Sequence, residues 1–214
     1  MKRCLIFTLF LLPVFCLSQT AEEIALQTEA KIRSYRSLQA DFEHIYHSST
    51  VSTPLEENGR LYIKKPDWMK WEYKEPEKKM FLYRDDLFQS YFPEDNQLVR
   101  QSLSEEDSEA ETLSLLTGQK SLLDQYEVEF DSFPTENKKV WQLRLTPNDE
   151  NEDAFLLLEI DQSTGLISKL ISLDWSGNRQ EFHFKNIKTN LNLADKVFEL
   201  VIPPDAEIVE DIRG

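Results

Sequence analysis

The sequence contains little cysteine and little glycine: two cysteines, Cys4 and Cys16, and five glycines among 214 residues. Because both cysteines lie close to the N-terminus, the rest of the chain can form neither a disulfide nor a thiol site. The chain also lacks a phosphate-binding glycine loop, a His-Glu-x-x-His pair and a Gly-x-Ser-x-Gly turn. The motif classes that mark nucleotide-binding enzymes, zinc proteases and serine hydrolases are therefore absent, and we predict that the protein is not an enzyme.

Histidine is also scarce, and the three present are His44, His47 and His183. On a predicted strand, His44 and His47 point to opposite faces because they are three residues apart. These dispersed side chains do not provide the ligand set of a zinc site. The acidic runs at residues 105–107 and 149–153 lack the central glycine of a calcium loop. We therefore expect neither a metal nor a cofactor.

Long apolar runs are limited to residues 4–17, which are too few to cross a bilayer. This run follows a basic N-terminus and leads to small residues at Cys16 and Ser18, which is the layout of a secretory signal. We predict a signal peptide at residues 1–18 and one exported domain at residues 19–214, located in the periplasm. The alternative is a lipoprotein signal in which Cys16 is kept and acylated. Phe15 argues against it, because the residue before such a cysteine is normally small.

Positive charge is in deficit, since 24 Lys and Arg residues against 39 Asp and Glu residues give a formal net charge of −15. The phosphates of nucleic acid and anionic lipid surfaces repel such a chain, so we expect neither as a partner. Repulsion between copies of the chain favours a dispersed, soluble protein, and we expect a monomer.

The order of the hydrophobic patterns predicts a mainly β protein with few helices. Thr20 and Glu23 match a capping box, and Ile32 and Tyr35 continue a helical spacing toward residue 38. From Ala40 the period changes to two, and about eleven short strands separated by turn residues follow. The main predicted strands cover residues 40–46, 59–64, 68–74, 79–84, 87–92, 97–103, 125–130, 140–146, 154–161, 166–174 and 179–187. A meander of this length favours one large, curved antiparallel sheet.

A leucine-rich segment at residues 112–123 interrupts the strands. Its apolar residues are spaced three and four apart, which predicts one short helix, or two helices joined at Thr117 and Gly118. The predicted fold class is therefore mainly β (α+β), with a single curved antiparallel sheet, an N-terminal helix and a short helical segment.

The most specific motif is at residues 58–76, which read Asn-Gly-Arg-Leu-Tyr-Ile-Lys-Lys-Pro and, after Asp67, Trp-Met-Lys-Trp-Glu-Tyr-Lys-Glu-Pro. It resembles the LolA family of outer-membrane lipoprotein carrier proteins, in which a Gly-x-Leu-x-Val-x-Arg-Pro strand runs into an aromatic Arg-Trp-Glu-Tyr strand. Weaker similarities to the family occur before and after this motif, in the same order as in the family, at residues 38–43, 85–99, 115–118, 140–143, 174–178 and 198–204. The resemblance thus covers nearly the whole exported chain.

The resemblance implies an incomplete β-barrel that is plugged by helices around a hydrophobic cavity. It also implies a periplasmic carrier, which receives acylated lipoproteins from an inner-membrane ABC-type extractor and delivers them to an outer-membrane LolB-type receptor. An acyl chain of ~16 carbons at ~0.8 kcal/mol per buried CH₂ resists leaving a membrane by ~12 kcal/mol, so unaided transfer is too slow. A carrier must therefore offer a comparable apolar surface and a lid that competes with the lipid.

Within this expected architecture, the strands supply the cavity and the leucine-rich segment supplies the lid. The candidate cavity residues are Trp68, Met69, Trp71, Tyr73, Phe81, Tyr83, Phe88, Tyr91 and Phe92, and the candidate lid residues are Leu113, Leu115, Leu116, Leu122 and Leu123. Only part of the aromatic set can face inward, because alternate strand residues point to opposite faces. An ordinary solid core is the alternative use of the same residues.

Lys65 is the candidate lid latch. In the family, an arginine just before the strand proline hydrogen-bonds to the lid, and this chain has Lys65 before Pro66. Lysine lacks the planar five-donor fork of arginine, so several bonds to lid carbonyls are harder to hold. The alternative is a solvated charge at the end of a strand. Met69 matches a family position implicated in accepting cargo from the inner-membrane complex.

A second function remains open for the same fold. An acylated outer-membrane receptor of the LolB type, or an envelope lipid-sensing domain, would be anchored through Cys16. The mass of the exported N-terminus separates this alternative from the soluble carrier.

Overall fold

The computed structural model describes residues 19–103, 108–148 and 154–211, where one twelve-stranded sheet is accompanied by three α-helices and a 3-10 turn. The predicted signal peptide at residues 1–18 lies outside the described residues. The mainly β fold with a single curved sheet is confirmed.

Helix α1 spans Ala21–Ser34 and begins with the predicted capping box. The Thr20 hydroxyl accepts a hydrogen bond from the Glu23 N–H at 3.2 Å, and the Glu23 carboxylate accepts one from the Thr20 N–H at 3.3 Å. Two N–H groups at the helix start are thereby bonded. The helix ends before the predicted limit near residue 38, because Tyr35 is extended and Ser37 already pairs with Lys64 in the sheet.

The strands of the sheet pair antiparallel, apart from one parallel pair at an edge. The strands are β1 (Ser37–His47), β2 (Leu55–Lys64), β3 (Trp68–Glu75), β4 (Lys79–Arg84), β5 (Leu87–Phe92), β6 (Gln97–Gln101), β7 (Tyr126–Phe130), β8 (Val140–Pro147), β9 (Phe155–Asp161), β10 (Ile167–Leu173), β11 (Arg179–Thr189) and β12 (Glu207–Asp211). They are ordered β12-β6-β5-β4-β3-β2-β1-β11-β10-β9-β8-β7 in the sheet. Edge strands β12 and β7 do not pair with each other, so the barrel stays open.

Strand β12 is the one that the sequence patterns did not predict. It pairs in parallel with β6, and Glu207 lies opposite Gln97, which precedes it by 110 residues. Its sequence, Glu-Ile-Val-Glu-Asp, does not alternate between apolar and polar residues. With neither a hairpin turn nor a period of two, the segment carries no local strand signal.

The main core lies on one face of the sheet, which we call the inner face and which carries Phe42 and Trp71. Helix α1 contributes its buried face, including Ile24 and Ile32, to this core. A smaller buried group occupies the opposite, outer face and consists of Leu82, Tyr91, Leu98 and Phe198. The C-terminal segment after β11 covers this outer group, since Phe198 lies in its 3-10 turn.

Gly59 in the aromatic motif permits close packing on the inner face. A Cβ atom there would lie 2.3 Å from the Glu72 carbonyl oxygen and 2.6 Å from Cζ of Phe42. The Phe42 ring occupies that space, and its centroid lies 4.9 Å from that of Trp71 and 4.8 Å from that of Tyr73, both edge-on. The glycine therefore lets the aromatic rings of neighbouring strands meet.

Candidate functional site

A cavity of about 220 Å³ lies between the inner face of the sheet and helix α2, which spans Ser108–Thr117. Alternation along β3, β4 and β5 places six of the candidate cavity residues in its wall: Met69, Trp71, Tyr73, Phe81, Tyr83 and Phe88. The ring centroids of Tyr73 and Phe81 lie 5.6 Å apart, and those of Phe81 and Phe88 lie 6.1 Å apart. The rings therefore form a continuous apolar wall.

Trp68 and Tyr91 do not line the cavity, contrary to the prediction. Trp68 lies three residues before Trp71 on the same strand, so its side chain points to the outer face. There its ring centroid lies 5.6 Å from that of Phe198. Tyr91 is three residues from Phe88 on the same strand, so it also points to the outer face, where it is buried. Phe92 lies 6.2 Å from Phe81 but is not part of the cavity wall.

Part of the cavity wall comes from strands that the prediction did not include. Leu156, Leu170 and Phe182 belong to β9, β10 and β11, and the Phe182 ring lies 5.0 Å from Trp71. Phe182 and Phe184 are spaced two residues apart, and this alternation could have predicted that their side chains share the inner face. Leu156 lies in an apolar run, which does not reveal the inward face.

The predicted lid forms two helices, α2 and α3 (Leu122–Gln125), separated at Gly118. Gly118 has a φ of 72°, and its N–H bonds to the Ser114 carbonyl, which ends α2 as glycine commonly does. Leu113 and Leu115 face the cavity. The other candidate lid residues lie elsewhere in the core: Leu116 faces Ile32 and Tyr35, Leu122 is buried, and Leu123 is half-buried against the core.

The hydrogen bond of Lys65 goes to helix α1 and not to the predicted lid. Its ammonium group donates to the carbonyl of Ile32, in the last turn of α1, and lies 4.4 Å from the centre of the Tyr35 ring. Burial, with a smaller contribution from the charge of Arg33, lowers the pKa of Lys65. The predicted latch residue thus caps the C-terminus of α1, whose last carbonyls have no partner within the helix.

The backbone of the predicted lid bonds instead to side chains of α1 and its C-cap, a set that we call the α1 clamp: Glu29, Arg33 and Tyr35. The Tyr35 hydroxyl donates to the Leu116 carbonyl at 2.8 Å, and Arg33 Nε donates to the Gly118 carbonyl at 3.0 Å. The buried Glu29 carboxylate accepts from the Leu122 N–H at 2.9 Å and pairs with Arg33 at 2.6 Å.

The α1 clamp bonds to backbone groups at the end of α2 and the start of α3, where helices leave such groups without internal partners. Burial raises the pKa of Tyr35, so its hydroxyl stays a donor at physiological pH. Sequence reasoning missed the clamp because Arg33 and Gly118 are 85 residues apart. Glu29 and Arg33, at a four-residue spacing, also match an ordinary surface ion pair.

One side of the cavity is polar. His44, Lys79, Ser172 and Gln180 are among its lining residues, and the Tyr73 hydroxyl reaches the same side. Lys79 pairs with the buried carboxylate of Glu57 at 2.6 Å. The cavity is therefore amphipathic, with an aromatic wall next to a row of hydrogen-bonding groups.

An open sheet whose aromatic inner face is covered by short helices around a cavity defines a binding fold suited to hydrophobic molecules. The family model described as "Outer membrane lipoprotein carrier protein LolA" matches residues 33–201, and the chain belongs to this family. The expected family is thereby confirmed.

Individual relatives are distant but extend over nearly the whole chain. An outer-membrane lipoprotein carrier protein of Methylococcus capsulatus is 24% identical and covers 95% of this chain and 97% of its own. One of Francisella tularensis subsp. novicida is 20% identical over the full length of both chains. A crystal structure of an uncharacterized conserved protein from Thermus thermophilus shares the fold, with a TM-score of 0.58 at 16% identity, covering 90% of this chain and 99% of that one.

Membrane-spanning helices and metal-binding clusters are both absent from the described residues. No helix within residues 19–103, 108–148 and 154–211 is long and apolar enough to cross a membrane. In the same part of the chain, no group of three or more His, Cys, Asp and Glu residues is arranged to hold a metal ion.

Proposed function

We propose that this protein is a periplasmic carrier that binds the acyl chains of lipoproteins released from the inner membrane and delivers them to the outer membrane. The observation that carries the proposal is the apolar cavity between the aromatic inner face and the leucines of α2. The cavity residues act by binding and not by catalysis. Membership of the LolA family and the names of the full-length relatives support the same function.

The size of the cavity supports a moving lid. At about 220 Å³ it is below the ~300–1,000 Å³ of pockets that enclose drug-sized ligands, and an acyl chain of ~16 carbons needs more room than this. Displacement of α2 would expose Leu113 and Leu115 together with the aromatic wall. The returning leucines would then compete with the lipid for that wall and favour its release.

The α1 clamp is the proposed latch of this lid. It fixes both sides of the Gly118 connection, so bonds at Leu116, Gly118 and Leu122 must break when the lid moves. The energy for loading would come from a partner, and we propose an inner-membrane ABC-type extractor for loading and an outer-membrane LolB-type receptor for unloading. Both partners follow from the family resemblance.

A release assay tests the carrier function. Membrane vesicles that hold a triacylated lipoprotein are incubated with the purified exported protein and sedimented, and the lipoprotein in the supernatant is measured. We expect wild type to solubilise it and Leu115→Glu to lose this activity, because its carboxylate would be buried against acyl chains. Leu26→Glu, at an exposed position on α1, is the matched control. Equal release by wild type and Leu115→Glu, or none by wild type, contradicts the proposal.

A second candidate is the acylated receptor or lipid-sensing domain of the same fold. The observation in its favour is Cys16 at the end of the apolar run, a position that lies outside the described residues. Mass spectrometry of the exported protein decides between the two. An N-terminus at Gln19 without lipid supports the soluble carrier, and an acyl-modified Cys16 supports the receptor.

A further inference from the structure

A row of polar side chains crosses the inner face of the sheet at one side of the cavity; we call it the polar row. It consists of Ser172 on β10, Gln180 on β11, His44 on β1, Glu57 on β2, the Tyr73 hydroxyl on β3 and Lys79 on β4. The register places these residues side by side: Ser172 lies opposite Gln180, His44 opposite Glu57 and Tyr73 opposite Lys79. Six neighbouring strands therefore bring hydrogen-bonding groups to one edge of an otherwise apolar wall.

The charged part of the polar row is neutralised internally. The Glu57 carboxylate accepts from Lys79 Nζ at 2.6 and 2.9 Å, and it lies 3.2 Å from Nδ1 of His44. Because a carboxylate can only accept, Nδ1 carries a proton, and the neutral imidazole then has a lone pair on Nε2. The ring is fixed in this orientation by stacking on Phe182, with centroids 4.3 Å apart.

Within the described part of the chain, His44 Nε2 is buried and has no hydrogen-bond partner. A buried acceptor without a donor is unfavourable, and such groups in native proteins usually find a partner in a ligand or water. The Gln180 side chain lies within hydrogen-bonding reach of the ring, which opposes the larger lowering of the His44 pKa by burial, and it also lines the cavity. Rotation of the Gln180 side chain would bring His44 Nε2 into contact with a bound molecule.

We propose that the polar row binds the amide linkage of an N-acylated cargo, while the acyl chain lies along the aromatic wall. The amide N–H donates to His44 Nε2, and the amide carbonyl accepts from the Ser172 hydroxyl, since the Lys79 ammonium is already paired with Glu57. Trp71, Phe81 and Phe88 continue the cavity from this point as the apolar surface for the chain. This inference rests on the proposed function, and it specifies which chemical group of the cargo is recognised and where.

A competition assay with matched ligands tests the proposal. A fluorescent apolar probe bound by the exported protein is displaced by N-methyldecanamide or by methyl decanoate, which share the chain and carbonyl but differ in the N–H donor. The ratio of the two affinities is compared between proteins, which cancels differences in solubility. In wild type the hydrogen bond to His44 strengthens binding of the amide but not of the ester, and so raises the ratio of their affinities. His44→Phe keeps the stacked ring but removes the acceptor.

We expect His44→Phe to shift the ratio toward the ester by about tenfold, since it removes one hydrogen bond to an otherwise unpaired group. Ser172→Ala is expected to weaken both ligands about threefold and to leave the ratio unchanged, and if His44→Phe does not fold, unchanged binding by Ser172→Ala overturns the proposal. Ser90→Ala, a buried serine outside the cavity wall, is the control and should change neither quantity.

The outcomes separate the polar row from the carrier function. Ligand affinities that do not respond to His44→Phe or to Ser172→Ala overturn the polar row and leave the acyl-binding cavity standing. A wild-type protein that takes up neither the probe nor either ligand contradicts both. A shift in ratio with His44→Phe, together with weaker binding of both ligands by Ser172→Ala, supports the amide site.

Discussion

Removal of the Tyr35 hydroxyl should loosen the lid without altering the cavity. In wild type this hydroxyl donates to the Leu116 carbonyl at 2.8 Å from a side chain that is 3% exposed. In Tyr35→Phe the ring stays, but a buried carbonyl at the end of α2 loses its donor, which costs about 1 to 2 kcal/mol. The equilibrium between the held and displaced lid should shift toward displacement by a factor of about 5 to 30.

Hydrogen exchange followed by mass spectrometry measures this shift directly. Peptides that cover residues 113–123 should exchange about 5 to 30 times faster in Tyr35→Phe, whereas peptides from β8 and β9 should keep their wild-type rates. Tyr91→Phe is the matched control, because Tyr91 is buried on the outer face and does not contact the lid. Unchanged exchange in the lid, or equal acceleration throughout the sheet, would refute the α1 clamp.

Three further predictions concern the clamp, the aromatic face and the buried histidine. Arg33→Ala should accelerate lid exchange more than Lys65→Ala does, since Arg33, unlike Lys65, bonds to the lid backbone; the same exchange measurement compares them. Gly59→Ala should lower the free energy of unfolding by about 2 to 4 kcal/mol, measured in urea, because its Cβ would overlap the Phe42 ring. The free energy of unfolding should fall as pH decreases below 6.5. Burial lowers the pKa of His44 in the native state, so the unfolded chain binds a proton at a pH where the native ring stays neutral. His44→Phe should remove this part of the pH dependence, which urea titrations between pH 5 and pH 8 measure.

Local patterns predicted the elements better than they predicted which side chains meet. The capping box at Thr20 and Glu23 and the glycine stop at Gly118 are short-range signals, and both are present in the structure. The aromatic motif placed Trp71 and Tyr73 in the cavity wall. When a strand has aromatic residues on both faces, its sequence does not show which set of alternate side chains faces inward. For this reason Trp68 was assigned to the wrong face.

Long-range partners were beyond local patterns. The latch was assigned to Lys65 by analogy with a family arginine, but the lid backbone bonds to Arg33 and Tyr35 of a different element. Strand β12 was missed for a related reason, since its partner β6 is far away in the chain.

Site-specific photocrosslinking in the periplasm tests the central claim, that acyl chains occupy the cavity on the inner face. Benzoylphenylalanine is placed at Phe88, in the cavity wall, or at Trp68, on the outer face, and the adducts are identified by mass spectrometry. Binding in the cavity predicts that Phe88 crosslinks to the acyl chains of lipoproteins and Trp68 does not. Acyl adducts at Trp68 without adducts at Phe88 would contradict it.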